Sequence, residues 1–283
     1  MQESRMVEAV TESEIAALLA AYDTQLRGQL AEQLPEGMHA ERDGPVLRLL
    51  GAKHGGFIDY RDLGGLEGDD VDELIARQVR VFAERGERFE WKLHAHDRPS
   101  DLAERLRAAG FVPEAVETVT IAPVAAVGTE PFLPEGVRLR EVSDRADLDR
   151  IADMELAIWN DDRSWLADSL EAERAVDPDA LTIVVAEAGD AVVCAGWIRF
   201  ARGTEFATLW GGGTLPAWRS RGIYRAIVAY RANLAAQRGF RYLQVDASDD
   251  SRPILERLGF VGVTTTTPFI WSPPAGLGEI SAR

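Results

Sequence analysis

Cysteine occurs once in the 283 residues, as Cys194. A lone thiol permits no intramolecular disulfide and excludes a cysteine-built metal site. Its setting, AVVCAGWIRF, alternates like a strand, so Cys194 is expected as a small buried hydrophobe and not as a nucleophile. Long apolar runs are missing as well. None approaches the roughly 18 residues that span a bilayer, and the opening MQESRMVEAVTESEIAALLAAYD is too polar and acidic for a secretory signal. The expected location is therefore cytoplasmic. Positive charge is scarce: 31 Lys and Arg stand against 47 Asp and Glu, a formal net charge of −16. Such a surface repels nucleic acid and anionic membrane on average, and neither is an expected partner.

What is present suits one large or two ordinary globular domains, with 46% hydrophobic residues. Thr11, three residues ahead of Glu14, forms a capping-box pattern that predicts a helix from about Thr11 to Leu26. GPVLRLLGA and GGFIDYRDL read as strands bounded by glycine. GDDVDELIARQVRVFAERG starts acidic, repeats Val71, Leu74, Ile75, Val79 and Phe82 on one face, and stops at Gly86, which predicts a helix. A strand (RFEWKLHAHD), a helix (PSDLAERLRAAGF) and a strand (VETVTIAP) come next. Residues 123–136, PVAAVGTEPFLPEG, show neither periodicity and mark the boundary, giving expected domains 1–130 and 131–283. Beyond it come the strand VRLREV, the helix DLDRIADMELAIW, two strands meeting at Gly189-Asp190, the glycine-ended strand FATLWGGGTL, the helix IYRAIVAYRANLAAQRG, the strand FRYLQVDAS, the helix SRPILERLGF and the strand TTTTPFIW. The passages 83–123 and 236–271 share an order of elements and the same Arg-Gly and Gly-Phe punctuation, which predicts two related halves.

One stretch of the second half, GGGTLPAWRSRGIYRA, sets a helix start directly after a glycine-containing loop. Unpaired N–H groups at such a start favour an anion. Gly222 lets backbone approach closely, and Arg219, Arg221 and Arg225 concentrate positive charge in an acidic chain. The lysine and Ser/Thr of a nucleotide-binding P-loop are missing. With Arg219 and Gly222 at the spacing Arg/Gln-x-x-Gly-x-Gly/Ala, the stretch resembles the acetyl-coenzyme A loop of the GCN5-related N-acetyltransferases. The resemblance spans residues 135–271 in its order of elements. It implies an α/β fold with a mixed, mostly antiparallel central sheet flanked by helices, and acetyl-CoA as the acyl donor. It further implies that Gly212, Gly213 and Thr214 bond the pantetheine, that Ser220, Arg221, Gly222, Ile223, Tyr224 and Arg225 surround the pyrophosphate with Arg219, and that Ser248 also faces the cofactor. Tyr224 departs from the pattern, standing where the family has a small residue; it either crowds the diphosphate or turns its phenol outward.

The chemistry is less legible. Acetyl transfer to an amine needs a proton acceptor and a donor for the leaving thiolate. Where some members of the family place a glutamate base this chain has Thr208, and where many have a tyrosine acid it has Leu255. The second half has no histidine. Glu205 is the expected catalytic substitute, and Tyr224 is a donor expected near the phosphates and not the sulfur. Glu155, Trp159 and Trp165, with Asp161 and Asp162, are expected to border the acceptor, because aromatic rings and carboxylates attract an ammonium. In the first half Glu67, Asp69 and Asp70 crowd the corresponding helix start and would repel a diphosphate, so that half is expected to be a degenerate copy. His94, His96 and Asp97 share one strand but no further ligand cluster accompanies them, and no metal is expected. The expected activity is transfer of acetyl to a primary amine of a small molecule by a monomer or homodimer. The alternative is a non-catalytic acyl-CoA-binding or sensing module.

Overall fold

The computed structural model describes residues 10–29 and 33–274. The first half contains α1 (Glu12–Gln25), β1 (His39–Asp43), β2 (Val46–Leu50), β3 (Gly56–Asp59), α2 (Asp69–Glu84), β4 (Phe89–His94), α3 (Leu102–Ala108), β5 (Val112–Pro113) and β6 (Glu117–Pro123). A single helical turn, α4 (Val124–Val127), leads into β7 (Val137–Val142), α5 (Arg145–Trp159), α6 (Trp165–Val176), β8 (Leu181–Ala188), β9 (Ala191–Phe200) and β10 (Phe206–Thr214). After a 3-10 turn at Pro216–Trp218 come α7 (Ile223–Gln237), β11 (Tyr242–Ala247), α8 (Arg252–Arg257) and β12 (Val261–Trp271).

Local chemistry accounts for these boundaries. The capping box of α1 forms as expected, with the Thr11 hydroxyl accepting the Glu14 N–H and the Glu14 carboxylate accepting the Thr11 N–H at 2.8 Å. In α2, three acidic residues complement the helix N-terminus while Val71, Leu74, Ile75 and Phe82 are buried. The connection over 123–136 is more ordered than its composition suggests: Val124 and Val127, one turn apart, are both buried against the core beneath α7 and hold α4 in place.

All twelve strands form one mixed sheet in the order β1-β2-β3-β4-β12-β6-β11-β10-β9-β8-β7, with β5 beside β12. Only β3–β4 and β10–β11 are parallel; the other pairs are antiparallel. Along β9, Trp197 joins the core under α5 and α6, whereas Ile198 joins the core under α7. That alternation is expected of a strand covered on both faces.

The two halves repeat each other, but their closing strands are exchanged. β6, the last strand of the first half, pairs with β11 of the second, while β12, the last strand of the second half, pairs with β4. The sheet thus runs through the expected division at residue 130 without a break. α1 covers this seam, packing Tyr22 against Val119, Ile121 and Phe206. Among the described residues no helix is long and apolar enough to cross a membrane.

Candidate active site

Two parallel strands set the geometry. β10 and β11 pair at Phe206/Tyr242, Ala207/Leu243 and Thr208/Gln244, and then part. Beyond that point β10 remains bonded only to β9, with a bulge between Gly211 and Gly213. The opening that results leaves backbone groups of β10 and β11 facing a slot.

Glycines at the bulge admit side chains from both faces of the sheet. A Cβ on Gly212, where φ is +98°, would lie 2.6 Å from the Tyr224 ring. A Cβ on Gly213 would lie 2.8 Å from Glu155 Oε1 and 2.9 Å from Ile158. Tyr224 adopts neither placement open to it in the sequence: its ring turns inward beneath Gly212, joins the core under α7, and has its phenol ionisation pushed up by burial. Its backbone lies in the first turn of α7, but its ring stands at the bulge.

The loop after β10 leaves a run of backbone N–H groups unpaired. Left-handed backbone at Ser220 (φ +61°) and at Gly222 (φ +82°), on either side of Arg221, gives the alternation that makes anion-binding concavities. Gly222 is the N-cap of α7 and supplies no side-chain cap. Among the described residues, no backbone N–H from Ser220 through Arg225 has an acceptor. Ile223 is buried and anchors the helix start, Arg219 donates Nε to the Thr214 carbonyl at 3.0 Å, and Arg221 stacks on Trp218. Arg219 thus ties the loop to the end of β10. Ser248 lies in the turn between β11 and α8, sharing a hydrogen bond with Ser251 at 3.2 Å.

The expected substrate residues separate. Glu155 is buried on α5; its Oε2 accepts the Trp159 indole N–H at 2.7 Å, its Oε1 has no partner, and burial raises its carboxyl above the ordinary value. Trp159 is 53% exposed beside it. Trp165 instead stacks on His54 at 4.6 Å, where the loop between β2 and β3 meets α6. Asp162 accepts the Ser164 N–H, and Asp161 pairs with Arg163 at 3.4 Å.

Glu205 does not belong to the site. It precedes β10 at the end away from the bulge, roughly 20 Å along the strand, and its carboxylate takes Arg241 at 3.1 Å and the Gln25 amide at 3.0 Å. Those partners hold its pKa below the ordinary glutamate value. Thr208 accepts the Trp210 indole N–H, and Leu255 is fully buried in the core. Cys194 is buried as expected, its thiol pushed up to about 11 by desolvation.

The first half carries the corresponding opening, already filled. β3 and β4 pair at Gly56/Phe89, Phe57/Glu90 and Ile58/Trp91 before parting. Arg27, just past α1, joins the ends of the two parted strands: its guanidinium meets Asp97, beyond β4, at 2.7 Å and lies over the ring of Tyr60, just past β3. Tyr60 donates to Asp97 at 2.6 Å, and the Gly28 N–H donates to Asp59 at 2.9 Å. His94 and His96 are taken up by Tyr22, Asp23 and Thr264. Among the described residues no group of three or more His, Cys, Asp or Glu is placed to hold a metal.

Comparison with known proteins agrees with this geometry. Residues 146–260 match the model of the acetyltransferase (GNAT) family. No curated protein matches the chain in sequence. Among solved structures, a GCN5-related N-acetyltransferase from Kribbella flavida superposes with a TM-score of 0.62 at 16% identity, covering 95% of this chain and 97% of that one. One from Sphaerobacter thermophilus gives 0.59 at 13%, covering 91% of each. A tandem GNAT protein from the clavulanic acid biosynthesis pathway gives 0.60 at 12%, covering 93% and 96%. Identities this low speak for the fold alone, and the family match speaks for the second half. Residues 146–260 thus match the GNAT acetyltransferase family model, and over its length the chain has the fold of solved GNAT proteins, a tandem one among them.

Proposed function

We propose that the second half binds acetyl-CoA and transfers its acetyl group to a primary amine, carried by a small molecule. The observation that supports this most is the row of unpartnered N–H groups from Ser220 to Arg225 beside the parted strands β10 and β11. The residues fit the group. A diphosphate would be held by those N–H groups and by Arg221 and Arg225, and the pantetheine by the backbone of Gly212, Gly213 and Thr214. Acetyl-CoA supplies an activated thioester when bound. The chain itself orients the reactants and manages protons: α5 presents Glu155 and Trp159 from one face of the bulge, and α7 presents Tyr224 from the other. Proximity accounts for much of the acceleration available to a thioester already activated.

Leu255 and Thr208, in places where the family has its acid and its base, favour a second reading, an acyl-CoA sensor without turnover. Calorimetric titration with acetyl-CoA, followed by coenzyme A release with an amine panel, separates the two. Saturable binding is expected, weakened at least tenfold by Arg219→Ala combined with Gly222→Asp. Unchanged binding in that variant would remove the site from this loop. Binding without release above the hydrolysis background would leave the sensor.

A further inference from the structure

We propose that Glu155 is the proton acceptor for the incoming amine, acting from α5 at the glycine bulge. This rests on the reading of the second half as an acetyl-CoA-dependent N-acetyltransferase.

Glu155 is 4% exposed, and its Oε1 has no hydrogen-bond partner, although ionised carboxylate oxygens inside proteins are normally paired. Such a group costs stability wherever nothing arrives to meet it. Its other oxygen is fixed by Trp159, so the carboxylate cannot rotate away without breaking that bond. Fixed in this way, Oε1 points at Gly213, the residue on the far side of the bulge. A side chain at 213 would fill the space that Oε1 faces, so the glycine keeps the carboxylate and the bulge in direct apposition.

The surroundings suit a base. Arg163, in the loop between α5 and α6, is the cation whose charge reaches Glu155, and it favours the ionised form; burial opposes it and prevails. From β9 the titratable neighbour is the Cys194 thiol, which is neutral at physiological pH. From β10, Gly213 brings no charge. A carboxyl raised by desolvation accepts a proton more readily than a solvated one, and an amine proton would supply the missing partner for Oε1.

The step balances. The amine nitrogen forms a bond to the thioester carbonyl carbon as the carbon–sulfur bond breaks. One proton passes from that nitrogen to Glu155 Oε1, and coenzyme A leaves as the thiolate, which takes its proton from solvent. Glu155 then returns its own proton to solvent. Neither oxidant nor metal is needed.

Glu155→Gln keeps the volume and the bond from Trp159, so it tests the charge alone. Acetyl-CoA affinity by calorimetry is expected to stay within about threefold of wild type, and the melting temperature not to fall, since the variant removes a buried charge. With spermidine, tyramine and glucosamine as probe amines, kcat/KM is expected to fall about 100-fold or more. The acidic limb of its pH profile should vanish. If the glutamine variant does not fold, Glu155→Asp withdraws the same acid from Gly213 and should lower kcat/KM at least tenfold while binding holds. A variant that keeps wild-type turnover, or the same acidic limb, overturns the assignment. So does a wild-type protein that binds acetyl-CoA yet turns over none of the three amines. A readout independent of turnover is the carboxyl titration of Glu155, followed by NMR in protein carrying 13C at the glutamate side-chain carboxyl. A midpoint above the ordinary glutamate range supports the proposal, and one within it overturns it. Failure of the wild type to bind acetyl-CoA would instead refute the cofactor seat, with the titration still judging Glu155.

Discussion

At the scale of single residues the site is governed by what the glycines leave out. Gly212 and Gly213 are neighbours in sequence but make room on opposite faces, one for the Tyr224 ring and one for Glu155. Substituting them should therefore have unequal effects. Gly212→Ala meets both a ring at 2.6 Å and a left-handed backbone, and should cost about 2–3 kcal/mol of stability. Gly213→Ala has no positive φ to bear and meets only the side-chain ends of Glu155 and Ile158; it should cost less, about 1–2 kcal/mol, yet displace the carboxylate against its bond from Trp159. Thermal melts and coenzyme A release on the two variants check the pair, and equal effects would contradict the opposite-face arrangement. The resemblance marked the glycine run as backbone for a cofactor, but not which side chains pack against it. Glu205 shows the same limit. Counting along the strand found a carboxylate near a known position, whereas its partners, Arg241 and Gln25, are assembled only by folding. Glu155 and Trp159 were legible as a carboxylate and a ring suited to an ammonium. The unsatisfied oxygen was not, because burial is a property of the whole structure.

Among the elements, β6 is the most consequential. It opens at Glu117, which lies near Lys92 of β4 at 3.9 Å and shares that lysine with Asp246 of β11 at 2.6 Å. Burial first, and then the carboxylates of Asp246, Glu90 and Glu114, raise the Glu117 carboxyl from 4.5 to about 7, against the pull of Lys92. A carboxyl whose folded pKa is raised lends stability that is fully present below its unfolded value and is lost as pH rises through the folded one. The melting temperature of the protein should therefore fall between about pH 5 and pH 8. Glu117→Gln should flatten that fall, matching wild type near pH 5 and exceeding it at pH 8.5. An unchanged slope would show that another group sets it. Helices and strands of both halves were legible from periodicity and caps, as at Thr11 and Glu14. The exchange of β6 and β12 was not, because an alternating strand carries the same pattern whichever neighbour receives it.

For the molecule as a whole, the internal repeat raises the question of how many cofactors one chain holds. The second half keeps its opening between β10 and β11, while in the first half Arg27, Asp97 and Tyr60 occupy the equivalent place, and Glu67, Asp69 and Asp70 surround the helix start. The acidic helix start, visible in the sequence, and the filled opening, visible only in the fold, point the same way. Calorimetry with acetyl-CoA should therefore saturate at one per chain, and two per chain would contradict the reading of the first half.

The exchanged strands also set an order of events during synthesis. β4 gains its neighbour β12 only once residue 271 has been made, and until then the β4 edge has no strand beside it. The first half is thus unable to complete its sheet while the ribosome is still working through the second, although domains ordinarily fold one after another as they emerge. Closure links residues far apart in the chain, which is the kind of contact that slows folding. Two halves that repeat each other thus form one sheet, closed only when β12 arrives.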